Sequence, residues 1–194
     1  MTMNHPIEIF QSWYQEELEQ SADQIPSACC LSTIGEDGYP NARFVSLKEV
    51  VDGAFLITGP TDSLKGLELK KDPKAALTFW WTATSRQIRI QGEVSQISEE
   101  MATRHFDARS QDSKIVSAFF NQGQELASFS QMKEEFAAEQ DRQGNMPVPR
   151  PASWGGWLIS PLRIEFMQFQ ASRLHERRLF LWEGGQWGMR LLQP

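Results

Sequence analysis

Short strand-like runs joined by turns of hairpin length are the feature that most limits how this chain can fold. The first three runs span residues 28–33, 42–50 and 54–58, with turn residues at 35–38 and at Asp52-Gly53 between them. A parallel connection needs a crossover of a dozen residues or more, whereas a short turn pairs its strands antiparallel. The pattern therefore predicts an antiparallel meander.

The run from 86 to 97 is the clearest strand, because apolar residues such as Ile88 and Ile90 alternate with polar ones along it. Further strand-like runs occupy residues 75–81, 157–159, 163–168, 179–182 and 187–191. Seven or eight short strands with helices inserted between hairpins predict a mainly β fold with helices, built as a small antiparallel barrel.

Helical spacing is strongest near the N-terminus, where residues 7–19 form an amphipathic pattern with an acidic outer face. The apolar positions of this pattern are Ile7, Phe10, Trp13, Tyr14 and Leu18. A short helix is expected at 63–71, capped by Asp62 or Ser63 and stopped by Pro73. Another begins at Ser98, residues 109–136 read as mainly helical, and residues 140–153 read as a loop because of their glycine and prolines.

Composition limits the class of protein. A chain of 194 residues with 40% hydrophobic residues fits one domain, 1–194, in which residues 1–24 are an N-terminal helix and arm. A net charge of −6 argues against general binding to nucleic acid or an anionic membrane. With no stretch of about 20 apolar residues, a cytoplasmic protein is expected. Cys29 and Cys30 would point to opposite faces of a strand, which predicts reduced thiols.

Several chemistries have no support in the motifs. The three histidines, His5, His105 and His175, stand apart from one another and from the cysteines, so no metal site is expected. There is no G-x-S-x-G elbow and no nucleotide-binding glycine loop, which argues against serine hydrolysis and phosphoryl transfer. The remaining Arg, Lys, Ser and Gln at strand ends and helix starts suit phosphate binding, with a cofactor supplying the chemistry.

Three segments are candidates for binding a phosphate or a heterocycle. Arg43 and Lys48 lie about 16 Å apart at the ends of one predicted strand, so they could bracket an extended ligand or be merely solvated. Residues 58–65 combine a hydroxyl, a helix start and an ammonium, which suits a phosphate, although an ordinary capped helix has the same pattern. Gln87 could donate to a heterocycle or simply face solvent.

The strongest candidate for a functional cluster is the segment 173–177, Arg-Leu-His-Glu-Arg. In extended chain Arg173, His175 and Arg177 would project from one face, giving a positive patch in an acidic protein. An Arg fork suits a phosphate or an anionic ring oxygen, and a histidine adds a proton that exchanges near neutral pH. A solvated edge strand is the alternative.

Together these segments resemble the pyridoxine/pyridoxamine 5′-phosphate oxidase family, flavoproteins that make pyridoxal 5′-phosphate. The resemblance runs from about residue 25 to 194. It is carried by residues 43–48 (Arg-Phe-Val-Ser-Leu-Lys), 63–66, 72–77, 86–92, 105–109 with Ser113, 149–156, 164–166, 173–177 and 190–194.

The resemblance implies an FMN-binding split β-barrel, antiparallel and Greek-key-like, and a homodimer with FMN at the interface. It implies that FMN is held by Arg43, Lys48, Thr58, Ser63, Lys65, Gln87, Gln122 and Arg177. It implies that a phosphorylated pyridine substrate is contacted by Lys48, His105, Arg109, Ser113, Arg173 and His175. Arg173 and His175 would be the catalytic pair, placing the substrate's C4′ for hydride transfer to the flavin, which O2 reoxidises to give H2O2.

The chain departs from the family pattern at five positions. His105 stands where the family usually has a phosphate-contacting Tyr, and Leu64 replaces an Arg of the FMN phosphate site. Ile57, Gly123 and Met167 replace a Tyr, a hydroxyl residue and an aromatic residue. These departures put the FMN affinity and the substrate in doubt.

Three functions therefore stay open. The first is the vitamin B6 oxidase itself. The second is an FMN-dependent paralogue that acts on another ring and is similar to the phenazine-precursor oxidases. Those oxidases tend to lose the phosphate-binding Arg and Ser. The presence of Arg109 and Ser113 in this chain therefore favours a phosphorylated substrate. The third is a non-catalytic flavin or pyridoxal-phosphate binder.

Overall fold

The computed structural model describes residues 5–22 and 25–194, which form nine strands in one sheet and five α-helices. The helices are α1 (Pro6–Gln20), α2 (Leu64–Lys71), α3 (Glu99–Asp107), α4 (Gln111–Phe119) and α5 (Phe129–Gln143). The strands are β1 (Ala28–Ile34), β2 (Pro40–Ser46), β3 (Glu49–Val51), β4 (Ala54–Pro60), β5 (Lys74–Trp81), β6 (Arg86–Gln96), β7 (Trp154–Gln168), β8 (Glu176–Glu183) and β9 (Gln186–Leu192).

The sheet has the order β2-β1-β5-β6-β7-β4-β3, with β8 on β7 and β9 on β8, and every pairing is antiparallel. One edge of β7 is shared: its first half pairs with β4 and its second half with β8. The sheet therefore divides along β7. This confirms the expected mainly β, antiparallel class.

Two predicted strands have the wrong bounds. The run 42–50 is two strands, because the chain leaves the ladder at Leu47 and Lys48 between β2 and β3. The runs 157–159 and 163–168 are one continuous strand, β7, which passes through Pro161. A β-bulge allows this, since the register of β6 and β7 shifts between Gln91 and Gly92 and leaves Leu162 without a partner on β6.

The bulge also explains why alternation failed to reveal β7. Before it the core-facing residues have odd numbers, Trp157 and Ile159; after it they have even numbers, Ile164 and Phe166. Gly92 opposite Pro161 permits the close approach, because a Cβ there would collide with the Ser160 carbonyl.

Helix α1 is confirmed, and four of its five predicted apolar residues, Ile7, Phe10, Trp13 and Tyr14, pack in or against the core. Phe10 packs on Phe55 and Phe79 at the centre of the core, whereas Leu18 is 40% exposed. Glu17, expected on an acidic outer face, is buried and accepts hydrogen bonds from Ala83 and Thr84 in the turn before β6. Of the expected N-terminal arm, residues 1–4 and 23–24 lie outside the described residues.

Helices α3, α4 and α5 follow β6 in the chain and precede β7. Ser98 caps α3 as expected, by accepting a hydrogen bond from the Met101 amide. The segment predicted as mainly helical from 109 to 136 contains a break at 120–128, and α5 runs to Gln143, into the predicted loop. In the described parts of the chain, no helix is long and apolar enough to cross a membrane.

Candidate active site

A cavity of about 710 Å³ lies where β2, β4, α2 and α4 meet the segment 120–128. This size suits a cofactor or a small ligand. Four cations line it: Arg43, Lys48, Lys65 and Arg109. In a chain of net charge −6, such a concentration of positive charge indicates an anionic ligand.

Arg43 is held in place from behind by a buried carboxylate. Its Nη2 donates to Glu68 Oε2 at 2.8 Å, its Nη1 donates to Thr33, and Asn41 also donates to Glu68. Glu68 is fully buried, and these hydrogen bonds together with the Arg43 charge lower its pKa despite the opposing effect of burial. Arg43 is therefore fixed at the cavity wall, with three of its five N–H groups left without a partner in the described residues.

Lys65 enters the cavity from the first turn of α2. Its Nζ donates to Ser63 Oγ at 2.8 Å and to Gln122 Oε1 at 2.9 Å, so these three predicted residues are together. Burial and then the nearby Arg43 lower the pKa of Lys65 to about 8. Gly59 makes room for this side chain, because a Cβ at that position would come within 3.1 Å of the Lys65 Cε.

Three buried polar atoms of cavity-lining residues have no hydrogen-bond partner among the described residues: Thr58 Oγ1, Arg109 Nε and Trp154 Nε1. Orphaned donors of this kind are costly unless a ligand or water pairs them. Arg109 also donates from Nη2 to the Ser113 carbonyl and to Ser117 Oγ, both at 3.0 Å, and packs against the Trp154 ring. Desolvation lowers the pKa of Arg109, and burial followed by the Arg109 charge lowers that of Lys48.

Two residues predicted at the substrate phosphate lie beside the cavity but not in its lining. His105 on α3 places its Nε2 2.8 Å from Glu49 Oε1, and Arg104 contacts the same carboxylate. Ser113, in the first turn of α4, accepts a hydrogen bond from Ser110 Oγ at 2.8 Å.

A second group of predicted residues lies on the outer face of the sheet and is absent from the cavity lining. Gln87, Met167 and Arg177 are cross-strand neighbours on β6, β7 and β8. Arg177 donates from Nε and Nη2 to Glu165 Oε1 at 2.9 and 2.6 Å, and Glu165 also pairs with Arg89. Glu165 is buried, so it fixes Arg177 as Glu68 fixes Arg43.

Arg173 and His175 belong to the turn between β7 and β8, so the expected extended segment with three cations on one face is wrong. Arg173 has a φ of 68° and its amide donates to the Gln170 carbonyl; only from Glu176 is the chain a strand. The left-handed residue makes the turn tight, and strained backbone of this kind often marks a functional site. His175 packs on Phe169, whose ring contacts Trp80.

The predicted residues thus form two groups at opposite ends of β7. Thr58 pairs with Gly156 near its start, and Arg177 pairs with Met167 near its end. Met167 follows Gly156 by eleven residues, which correspond to about 35 Å of extended chain. We name the first group the cavity group (Arg43, Lys48, Thr58, Ser63, Lys65, Arg109, Gln122) and the second the strand group (Gln87, Arg173, His175, Arg177).

Sequence reasoning missed Glu68 and Gly59, which support the cavity group, and considered Glu165 only as a partner of segment 173–177 in a solvated edge strand. Glu68 and Glu165 fix the arginines, and Gly59 makes room for Lys65. One signal was available, because Glu68 follows Lys65 by three positions on a helix and so shares its face. Glu165 contacts Arg177 across paired strands, and Gly59 allows the Lys65 side chain to approach the backbone closely. Neither contact can be predicted from the neighbouring sequence.

The donors of the cavity group fit a phosphorylated flavin. Arg43 and Lys65 offer charge-assisted donors of the kind that phosphate oxygens accept, and Thr58 offers an unpaired hydroxyl. Leu64, which replaces the expected Arg, is 59% exposed, so it adds no donor at this wall. Backbone N–H groups at the start of α2 remain available there, because Ser63 Oγ donates to the Pro60 carbonyl and makes no side-chain cap.

Family models match most of the chain. Residues 16–143 match the model described as pyridoxamine 5′-phosphate oxidase, and residues 154–194 match the pyridoxine 5′-phosphate oxidase C-terminal dimerisation region. The second match covers β7, β8, β9 and the turn between β7 and β8, and so includes Arg173, His175 and Arg177.

Curated relatives match over nearly the full length. A pyridoxine/pyridoxamine 5′-phosphate oxidase of a Cyanothece species is 37% identical over 190 residues, which is 98% of this chain and 89% of the relative. The enzyme of the same name from Legionella pneumophila is 35% identical over 191 residues, 98% of this chain and 88% of the relative.

Solved structures show the same fold. PhzG from Burkholderia lata, crystallised with tetrahydrophenazine-1-carboxylic acid, superimposes with a TM-score of 0.92 at 24% identity, covering 100% of this chain and 94% of that one. A pyridoxamine 5′-phosphate oxidase-related, FMN-binding protein from Nostoc punctiforme gives a TM-score of 0.78 at 13% identity, covering 95% and 97%. At these identities the likeness establishes the split-barrel fold alone.

Proposed function

Because this chain belongs to the pyridoxamine 5′-phosphate oxidase family, we propose that it converts pyridoxamine or pyridoxine 5′-phosphate to pyridoxal 5′-phosphate as an FMN-dependent oxidase. Oxygen is the electron acceptor and is reduced to H2O2; with pyridoxamine 5′-phosphate, water is also consumed and ammonia is released. The observation that carries this proposal is the cavity, where four cations and an unpaired Thr58 hydroxyl surround a space suited to a cofactor.

FMN is assigned to the cavity group without Arg109, completed by Gln87 and Arg177. Arg43, Lys65 and Thr58 bind its phosphate, and Ser63 and Gln122 keep the Lys65 ammonium in place. An arginine held by a buried carboxylate loses little conformational entropy when a phosphate binds. Lys48, at the open side of the cavity, is shared between cofactor and substrate.

The substrate phosphate is assigned to Lys48, Arg109 and Ser113, with His105 at its edge. Arg109 is rigid, because Ser117 and the Trp154 ring hold its guanidinium while its Nε stays unpaired. Arg173 and His175 bind the ring end of the substrate and orient its C4′. When bound, FMN supplies the hydride acceptor and passes the two electrons to O2.

A homodimer follows from the separation of the two groups. Three residues of the strand group, Arg173, His175 and Arg177, lie in the matched dimerisation region. Two large apolar side chains beside the strand group are exposed: Trp80, which pairs with Gln87, and Leu174, in the turn after β7. A two-fold axis brings the cavity group of one subunit to the strand group of the other, and it does so twice. Each dimer then has two FMN sites, each built from both subunits.

The test uses the purified protein loaded with FMN. Anaerobic addition of pyridoxamine 5′-phosphate is expected to bleach the flavin absorption, and admission of O2 is expected to restore it with formation of H2O2. Unphosphorylated pyridoxamine is the matched control, and it should bind at least tenfold more weakly, because it lacks the group that Arg109 and Lys48 bind.

Three outcomes distinguish the alternatives. Equal affinity for the phosphorylated and unphosphorylated compounds would favour a ring substrate of the phenazine-precursor type. Flavin binding without any bleaching would favour a non-catalytic binder. Absence of flavin binding under all conditions would contradict the proposal.

A further inference from the structure

The turn between β7 and β8 fixes the orientation of the His175 ring. The Gln170 amide donates to His175 Nδ1 at 3.1 Å, and the ring packs on Phe169 at 4.8 Å between centroids. Phe169 in turn contacts Trp80 edge-on at 4.7 Å. Further backbone hydrogen bonds, from Arg173 to the Gln170 carbonyl and from His175 to the Arg173 carbonyl, close the turn.

This hydrogen bond decides which ring nitrogen carries the proton. A backbone N–H can only donate, so Nδ1 must accept with its lone pair and carries no hydrogen. A neutral imidazole then has its proton on Nε2. Nε2 itself has no partner among the described residues, and it is not sealed from solvent.

We infer that His175 is held as the Nε2–H tautomer and acts on the substrate as a hydrogen-bond donor, with Phe169 and the Gln170 amide as its positioning groups. This inference rests on the proposed function, because it concerns the ring end of the same substrate. The bound ring atom must be an acceptor, and with Arg173 in the same turn an anionic ring oxygen next to the reacting carbon fits best.

The same geometry excludes a second role. Nε2 already carries a hydrogen and has no free lone pair, so it cannot remove a proton from the substrate. Nδ1 has a lone pair, but the Gln170 amide occupies it. The amine or hydroxyl proton released when C4′ is oxidised therefore goes to solvent or to another group, and His175 contributes orientation.

The tautomer can be read directly by NMR. Long-range ¹H–¹⁵N correlation spectra of the FMN-loaded protein at pH 8 distinguish the two tautomers by which nitrogen resonates as the protonated one. The His175→Gln variant assigns the signal among only three histidines. The expected result is the Nε2–H pattern, and an Nδ1–H pattern for His175 would overturn the inference.

The positioning role has its own variant. Phe169→Leu removes the ring that supports His175, and a mixed tautomer pattern is expected with the rest of the spectrum unchanged. If the pattern stays purely Nε2–H, Phe169 is not a positioning residue. Both NMR readouts are independent of turnover, so they remain informative if the proposed reaction fails.

Two isosteric substitutions test the donor role in catalysis. Glutamine places an amide N–H near the position of Nε2, whereas asparagine places it near Nδ1. His175→Asn is expected to lose at least about tenfold more kcat/KM than His175→Gln, since only glutamine keeps a donor at the right atom. Equal losses in both variants, with disappearance of one limb of the pH–rate profile, would show proton transfer and overturn the inference.

Discussion

Glu68 shows how a residue outside the lining of a cavity determines what the cavity can bind. It contacts no solvent, yet it carries the charge that fixes Arg43, and its own helix presents Lys65 three positions earlier. Taking a carboxylate out of water is costly, and the hydrogen bonds from Thr33, Asn41 and Arg43 offset that cost.

Replacing Glu68 with Ala should lower the free energy of unfolding by about 3–5 kcal/mol, because Arg43 is left as an unpaired, partly buried charge. Urea unfolding followed by tryptophan fluorescence measures the change. The matched control is Glu183→Ala, whose pair with Arg190 is about two-thirds exposed on both sides and should contribute less than about 1 kcal/mol. Equal effects of the two substitutions would contradict the buried-pair account.

Lys65 makes FMN affinity depend on pH. Its pKa of about 8 lies below the usual 10.5, so in the apoprotein the ammonium loses its proton as the pH rises through about 8. The dissociation constant for FMN, measured by quenching of flavin fluorescence, should therefore rise up to about tenfold per pH unit above that point. Lys65→Arg keeps the charge and should flatten the profile; an unchanged slope would exclude Lys65 as its source.

The lowered pKa of Lys65 also affects the stability of the apoprotein, but here a higher pH is favourable. The folded state binds the Lys65 proton less tightly than the unfolded chain does, so burial of the ammonium destabilises the fold below about pH 8. That penalty disappears as the pH rises from about 8 toward 10.5.

At the scale of single residues, sequence predicted which side chains lie together better than how they are oriented. Arg43, Lys48, Thr58, Lys65 and Arg109 share one cavity although they come from separate segments. The prediction that Arg173, His175 and Arg177 share one face was wrong, because it assumed an extended backbone, whereas Arg173 has a left-handed conformation. A left-handed conformation at a non-glycine residue such as Arg173 cannot be predicted from the local sequence.

At the scale of helices and strands, an element could be predicted where its apolar residues recur at a regular spacing, but not where that spacing is interrupted. Strand β6 keeps its alternation and begins at Arg86 as expected, whereas the bulge in β7 changes the parity of its core residues. Helix α1 keeps a 3.6-residue period, but which carboxylate lies inward depends on the turn at Ala83 and Thr84, which is distant in sequence.

Helix α1 should behave as part of the core and not as an appendage. Phe10 is 1% exposed and contacts Phe55, Phe79 and Trp81, so Phe10→Ala should cost about 3–5 kcal/mol in chemical denaturation. Leu18→Ala on the same helix should cost less than about 1 kcal/mol, because its side chain is 40% exposed. A small loss at Phe10 would mean that the rest of the core is stable without α1.

At the scale of the whole molecule, the sheet divides the predicted site residues of one chain between two places. This arrangement was not predictable from sequence, because it depends on how strands far apart in the chain pair around β7. The proposed dimer makes a specific prediction about mixed subunits.

Co-expression of Lys65→Ala and Arg177→Ala chains should restore activity that neither variant has alone. In a mixed dimer one site collects both defects and the other has none, so a random mixture should show about a quarter of the wild-type turnover. Separately purified variants, mixed without subunit exchange, are the control. If both residues served the same site from one chain, every site would carry a defect and no activity would return.

The bulge at Leu162 changes which residues of β7 face the core, from odd-numbered ones before it to even-numbered ones after it. Without the extra residue, Glu165 and Met167 would turn toward the core, and Ile164 and Phe166 would face outward. Arg177 would then lose the carboxylate that holds it, while Thr58 and its partner Gly156 would be unaffected. A single inserted residue thus sets the orientation of the strand group relative to the cavity group, and the proposed function depends on the length of β7 as well as on the identity of its side chains.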